Sequence, residues 1–341
     1  MIRWGVPSRG GRDVATGIVA CMALAACSSA APPNSRIAMD RIPALRTPDS
    51  RFEGLRDYPF APKFAQVPGA LRIHFIDEGP RGGSVVVLLH GEPSWSYLYR
   101  KMIPALVGAG HRVIAPDLIG FGKSDKPVER SDHTYERHVE WMRSVLFDHL
   151  DLHHVTLFAQ DWGGLIGLRL VAENPDRFDR VAIANTGLPT GDEAPNDAFL
   201  GWRAMSQAMP VFPTGQILQG GTVSVLPGEV MAAYDAPFPD SSYQAGPRVM
   251  PVLVPITPDD PGAEANRAAW EVLRSWSRPF VTFFSDGDRI TGPWAEPFRT
   301  EVPGARGQAH QTITGAGHFL QEDKGAELAQ LLLRFMSETG N

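Results

Sequence analysis

The stretch Val155-Thr156-Leu157-Phe158-Ala159-Gln160-Asp161-Trp162-Gly163-Gly164 narrows the range of folds more than any other part of this chain. An apolar run of β type reaches a polar residue, turns on two glycines, and continues from Leu165 to Ala172 with helical spacing and no breaker until Pro175. That is a strand, a turn and a helix with one side chain held at the apex. The small residues Ala159 and Gly163 flank Asp161 at alternate positions, as a sharp elbow needs, because the backbone approaches closely there. Two readings of Asp161 are open at this point: a helix N-cap, which is the ordinary role of an Asp before a helix, or a nucleophile.

A chain of 341 residues suits one large α/β domain carrying an insertion, or two small domains, and its 43% hydrophobic content is ample for a core. The formal net charge of −6 argues against nucleic acid as a partner, since phosphate binding needs a basic stripe. Both cysteines, Cys21 and Cys27, lie near the amino terminus, so the globular part has neither a disulfide framework nor a thiol nucleophile.

The first 38 residues read as something other than fold. Arg3, Arg9 and Arg12 precede an apolar run, Val14 to Ala26, that is too short to span a bilayer, and Leu24-Ala25-Ala26-Cys27 resembles a bacterial lipobox. The expectation is a signal peptide over 1–27 cleaved before Cys27, a lipid anchor to membrane through Cys27, a tether over 28–38, and export to the periplasm or cell envelope. The alternative is translation from Met39 and a cytoplasmic protein, and it stays open.

Leu71 to Gly79 alternates as a strand, and Ser84 to Leu89 is a continuous apolar run suited to a strand buried on both faces. The second runs into His90-Gly91-Glu92-Pro93, which is either a simple turn or a backbone donor beside a reaction centre. Arg112 to Asp117 is a further strand. The glycine-rich loop after it, Gly120-Phe121-Gly122-Lys123-Ser124-Asp125, has neither dinucleotide nor phosphate-loop spacing. Arg137 to Leu150 has helical spacing, and Arg180 to Asn185 reads as a strand. From Leu188 to Gly262 the chain turns rich in Pro, Gly, Met and aromatics without strand alternation, which predicts an insertion with short helices such as Ala198 to Met209. Strand character returns at Pro279 to Ser285 and Gln311 to Thr314, and an amphipathic helix is expected over Ala326 to Met336. Alternating strands and helices predict an α/β fold with a mostly parallel, doubly wound sheet and its site at the carboxyl ends of the strands. Glu92, Asp161, Asp288 and His318 all fall at such ends.

Four segments together carry a family resemblance: His90 to Pro104, Gly120 to Pro127, Gln160-Asp161-Trp162-Gly163-Gly164, and Gly315-Ala316-Gly317-His318-Phe319. They resemble the haloalkane dehalogenases of the α/β-hydrolase superfamily, in the branch whose second halide donor is a cap tryptophan. The likeness runs from about Met39 to the carboxyl terminus. It implies a hydrolase core over 39–187 and 263–341, a helical cap over 188–262, and hydrolysis of small haloalkanes to a primary alcohol and halide without a cofactor. By the same resemblance Asp161 is the nucleophile, His318 the base and Asp288 the acid, with Asp286 as the rival acid two residues away. Backbone N–H groups of Glu92 and Trp162 form the oxyanion hole, Trp162 and Trp202 bind the halide, and Leu165, Phe199, Met250 and Ile290 line the pocket. Trp270 and Trp276 compete with Trp202 for the halide role.

These residue types suit the chemistry. Saturated carbon offers no carbonyl to attack, so a carboxylate that is ionised without a base is the apt nucleophile, and the ester it forms is an ordinary acyl target for water activated by histidine. Indole N–H is a donor that carries no competing nucleophile. An epoxide hydrolase would use the same Asp161 and His318 but needs cap tyrosines, for which Tyr234 and Tyr243 are the candidates. A non-catalytic ligand-binding protein on the same fold is the rival from another class. His74, His111, His138, His153, His154 and His310 fall outside ligand spacing, so no catalytic metal is expected.

Overall fold

A strand-length apolar run without alternation has to be covered on both sides. The computed structural model, which describes residues 41–340, buries Val86 to Leu89 and Val155 to Gln160 throughout. The expected signal peptide, Cys27, the tether and the alternative start at Met39 lie outside the described residues. In chain order the strands are β1 (Ala44–Leu45), β2 (Lys63–Val67), β3 (Leu71–Glu78), β4 (Val85–Leu89), β5 (Arg112–Pro116), β6 (Lys126–Pro127), β7 (Val155–Gln160), β8 (Phe178–Ala184), β9 (Phe280–Ser285) and β10 (Gln311–Ile313). The α-helices are α1 (Ile103–Gly108), α2 (Tyr135–Arg143), α3 (Trp162–Glu173), α4 (Asp197–Ala208), α5 (Thr214–Gly220), α6 (Gly228–Asp235), α7 (Ala245–Leu253), α8 (Ala263–Leu273), α9 (Ala295–Glu301) and α10 (Leu320–Glu338).

Eight strands form one sheet in the order β10-β9-β8-β7-β4-β5-β3-β2. It is parallel except where β3 pairs with β2 and β5. Register decides what this sheet can carry. Leu89 lies opposite Ala159, and Gln160 lies opposite Ala184. The residues that follow these strands, His90-Gly91-Glu92, Asp161 and Asn185, therefore meet at one edge, where an α/β sheet places its ligands.

The segment after β8 is helical where it is regular, from α4 to α7, and its helices are held unequally. On α6, Val230, Ala233 and Tyr234 are buried, the Trp95 indole donates to the Ala233 carbonyl at 3.1 Å, and the Tyr234 hydroxyl donates to Glu322. On α4 only Ser206 is buried. The Asn196 side chain accepts the Phe199 N–H at 2.9 Å and caps that helix.

Helix α10 starts at Leu320, six residues before the amphipathic periodicity becomes readable at Ala326. Lys324 is non-helical (φ −134°, ψ 28°), so the first turn is offset from the rest and its faces do not continue the later stripe. That first turn carries Glu322, 3% exposed, whose carboxylate takes Arg100 Nη2 at 2.9 Å, Lys101 Nζ at 2.9 Å and the Tyr234 hydroxyl. Replacing Glu322 by Ala leaves the Arg100 guanidinium buried without its carboxylate. The expected cost is about 3–5 kcal/mol in urea unfolding, and a loss below about 1 kcal/mol would mean that Arg100 finds another partner.

Candidate active site

The elbow between β7 and α3 places Asp161 at φ +50° and ψ −126°, a conformation that a residue with a side chain adopts only under constraint. The constraint comes from the neighbours. A Cβ on Gly163 would run into the Leu89 carbonyl, and one on Gly91 would run into the Asp161 carboxylate, so both positions must lack one. The Thr186 hydroxyl donates to the Asp161 carbonyl at 2.7 Å and fixes the turn from the other side. Asp161 makes no side-chain cap to its own helix. Instead its Oδ1 accepts the Glu92 backbone N–H at 2.7 Å, and its Oδ2 lies 3.5 Å from His318 Nε2.

The loop after β9 supplies the partner on the far side of the imidazole. His318 Nδ1 and Asp288 Oδ2 are 2.9 Å apart. Asp288 also accepts the Ile290 N–H at 2.9 Å, the Thr291 N–H at 3.3 Å and the Thr291 hydroxyl. Burial alone would raise the Asp288 carboxyl, but the imidazole and these donors outweigh it and hold it down at about 2. Asp286, the other candidate acid, turns away and accepts the Gly315 N–H at 2.9 Å and the Ala316 N–H at 3.4 Å. For His318, burial opposes the charged form, but Asp288 and Asp161 overcome that and lift it to about 10.

Gln160, part of the elbow motif, makes contacts that spacing does not reveal. Its fully buried side chain puts Nε2 3.0 Å from His318 Nε2 and 3.3 Å from the His318 carbonyl. Its Oε1 finds no hydrogen-bond partner among the described residues. In this orientation the amide N–H serves a neutral imidazole. The same amide nitrogen also donates to the His318 carbonyl, so Gln160 helps to hold the histidine in place.

These groups open onto a cavity of about 900 Å³. Trp162, Trp202, Leu165, Phe199 and Ile290 line it. Met250 does not: it is fully buried in the core, and its neighbour Pro251 is the α7 residue that reaches the cavity. Consecutive helical residues point about 100° apart, so an apolar run on a helix does not say which member faces a pocket. Trp270 donates its indole N–H to the Leu188 carbonyl at 2.8 Å, and neither it nor Trp276 lines the cavity. Trp294 does line it, packed against Gly187, and was not anticipated from the sequence.

The Glu92 side chain is 4% exposed, and burial, then the Asp161 charge, push its carboxyl well above the usual carboxylate range. The charge of His318 and the nearby Trp202 indole act in the opposite direction without reversing the shift. A carboxyl that holds its proton more tightly is less prone to add a second negative charge beside Asp161. Tyr234 and Tyr243 do not line the cavity; Tyr234 is fully buried on Glu322. His90 is a framework residue whose Nε2 accepts the Leu118 N–H at 2.9 Å, and His74 pairs with Asp117 at 2.8 Å. Among the described residues no three His, Cys, Asp or Glu side chains converge as a metal ligand set.

The arrangement can present an ionised carboxylate to a reacting atom, hold an oxyanion on backbone N–H groups, and activate a water with a histidine oriented by a buried acid. Comparison with known proteins points the same way. Residues 84–216 match the family model described as the α/β-hydrolase fold. The haloalkane dehalogenase of Psychrobacter cryohalolentis is 58% identical over 298 residues, which cover 86% of this chain and 98% of that protein. The haloalkane dehalogenase of Mycolicibacterium paratuberculosis is 54% identical over 293 residues, covering 85% and 97%. Among solved structures, the haloalkane dehalogenase DpaA of Paraglaciecola agarilytica superposes with a TM-score of 0.79 at 35% identity, over 87% of this chain and 99% of that one.

Proposed function

The chain belongs to the haloalkane dehalogenases, α/β-hydrolases that cleave carbon–halide bonds hydrolytically, and from that membership we propose the roles of its residues in the reaction. The observation that carries the proposal is the line Asp161, His318, Asp288 beneath a mostly apolar cavity. Asp161 attacks the carbon that bears the halogen. A C–O bond forms, the C–X bond breaks, and the halide leaves with the bonding pair onto the indole N–H groups of Trp162 and Trp202. The segment 188–262 acts as a cap that closes water out of the cavity and supplies Trp202.

The electrostatics favour this order of events. With Asp161 ionised, His318 is lifted to about 10 and is charged at neutral pH, so it is a poor base. Ester formation removes the Asp161 charge. One of the two carboxylates that raise the imidazole is gone, burial continues to lower it, and His318 can release its proton to solvent, the proton that accompanies the halide in the overall reaction, and serve as a base. Its Nε2 then takes a proton from water, whose oxygen attacks Asp161 Cγ. The oxyanion that develops meets the Glu92 N–H, 2.7 Å from Oδ1, and the N–H of Trp162. Collapse breaks the bond to the alcohol oxygen, which takes the proton back from His318, and the second proton of the water passes from the new Asp161 carboxyl to His318, restoring the carboxylate beside a charged imidazole.

In this sequence the alcohol keeps an Asp161 oxygen and the enzyme keeps the oxygen of water. A single turnover of excess enzyme with 1-bromobutane in H₂¹⁸O should therefore label the peptide containing Asp161 and leave the butanol unlabelled. Label in the first-turnover butanol would mean direct attack of water on carbon and would overturn the ester route. Neither candidate tyrosine reaches the cavity, so no observation favours the epoxide-hydrolysing alternative.

A further inference from the structure

Away from the reaction centre, a second cleft of about 340 Å³ lies where the segment Val128–Arg130 meets Pro210 and the start of α7. Arg130, Arg248, Ser241, Ser242 and Ala245 are among its walls, and no carboxylate is. In a chain of net charge −6, two guanidinium groups facing one cleft without an acid need an explanation. Among the described residues neither arginine forms an ion pair. Arg248, 8% exposed, donates to the carbonyls of Met209 at 2.8 Å and Pro210 at 3.3 Å, and Arg130 donates to the Gln207 side chain at 3.0 Å. Each guanidinium has five N–H donors, so several remain. Burial, and then Arg130, lower the Arg248 pKa, as expected for like charges drawn together without a counter-ion. Ala245, the first residue of α7, adds the positive end of a nine-residue helix to the same wall.

We propose that this cleft is a binding site for a phosphate-class oxyanion, held by Arg130 and Arg248 with the Ser241 hydroxyl, and that its occupation braces the end of α4. The second half follows from what the arginines already grip. Met209, Pro210 and Gln207 lie at the carboxyl end of α4 or directly after it, and Gln207 returns a hydrogen bond to the Arg248 carbonyl at 2.6 Å. Met209 also lines the large cavity, and the same helix carries Phe199 and Trp202. An anion that neutralises the two arginines removes the repulsion at this clamp and steadies the cavity wall on α4. The planar guanidinium fork matches tetrahedral oxyanions better than it matches a spherical halide. The nearest acid on the same segment, Asp240, is exposed and occupied by the Ser242 N–H at 2.8 Å and the Ser242 hydroxyl at 2.5 Å. Its charge works against the anion.

The test is a calorimetric titration of the full chain with inorganic phosphate, with potassium bromide at equal ionic strength as the control, repeated on Arg130→Gln and Asp240→Asn. Arg130 and Asp240 are exposed and stand outside the reaction centre, so both variants keep the fold even if Arg248→Gln does not. Saturable phosphate binding, weakened at least tenfold by Arg130→Gln and tightened severalfold by Asp240→Asn, is the expected result. A parallel arm co-sediments the protein with phosphatidylglycerol or phosphatidylcholine vesicles. Binding to the anionic vesicles that depends on Arg130, with free phosphate inert, would identify the source of the phosphate group as a lipid headgroup and still support the site. The proposal is overturned if phosphate does no more than bromide and neither vesicle is bound, or if Arg130→Gln changes nothing in either arm.

Discussion

Asp161→Asn is expected to lower steady release of bromide from 1-bromobutane by about ten-thousand-fold or more, with the fold intact. The substitution keeps the shape of the side chain and an oxygen able to accept the Glu92 N–H, and it leaves the Thr186 bond to the backbone carbonyl in place. What it removes is the negative charge that makes the oxygen a nucleophile. The loss is then chemical, and circular dichroism of the variant should match the parent. A second readout ties the result to the proposed sequence. Without the Asp161 charge, His318 should titrate below its value of about 10, since Asp288 alone opposes burial; NMR of the imidazole nitrogens would report it. Retained turnover within tenfold of the parent would remove Asp161 from the chemistry.

His318→Ala should separate the two halves of the reaction. Halide displacement does not use the histidine as a base, whereas hydrolysis of the ester does. The variant is expected to release close to one equivalent of bromide per active site in a burst and then stop, with steady turnover down by about a thousandfold or more. Intact-protein mass should rise by one butyl group in place of a proton, and the modified peptide should contain Asp161. Absence of both burst and adduct, in a protein that still folds, would place the histidine before carbon–halogen cleavage.

How much of this was legible in the sequence depends on the kind of signal each residue leaves. Strands such as β4 and β7 are continuous apolar runs because both faces of a parallel sheet are covered, and so they could be read with nearly their true limits. The elbow could be read because close backbone approach leaves glycine at position 163 as the residue without a clash. The choice between Asp286 and Asp288 could not be read from the residues alone. Both are Asp in one loop, and what separates them is the direction of each side chain, towards the Gly315 N–H or towards the imidazole. Helix α7 misled for a similar reason, because the facing of Met250 and Pro251 is set by how the whole helix seats. Gln160 and Trp294 left no signal of their own. An amide against a histidine, and an indole against Gly187, arise from contacts between segments far apart in the chain.

The unequal seating of α4 and α6 bears on what size of substrate this protein admits. The segment after β8 is tied to α10 through Tyr234 and Glu322, whereas α4 buries only Ser206 and is held to its neighbours by Asn196, Arg203 and Gln207. The two helices are therefore anchored unequally. A static volume of about 900 Å³ is far more than a short bromoalkane fills, so selection by fit inside the chamber is weak. Local opening of α4, the less buried wall, is then the step expected to discriminate between substrates. It follows that substrate range could drift through changes on the outer surface of α4 that touch no reacting atom.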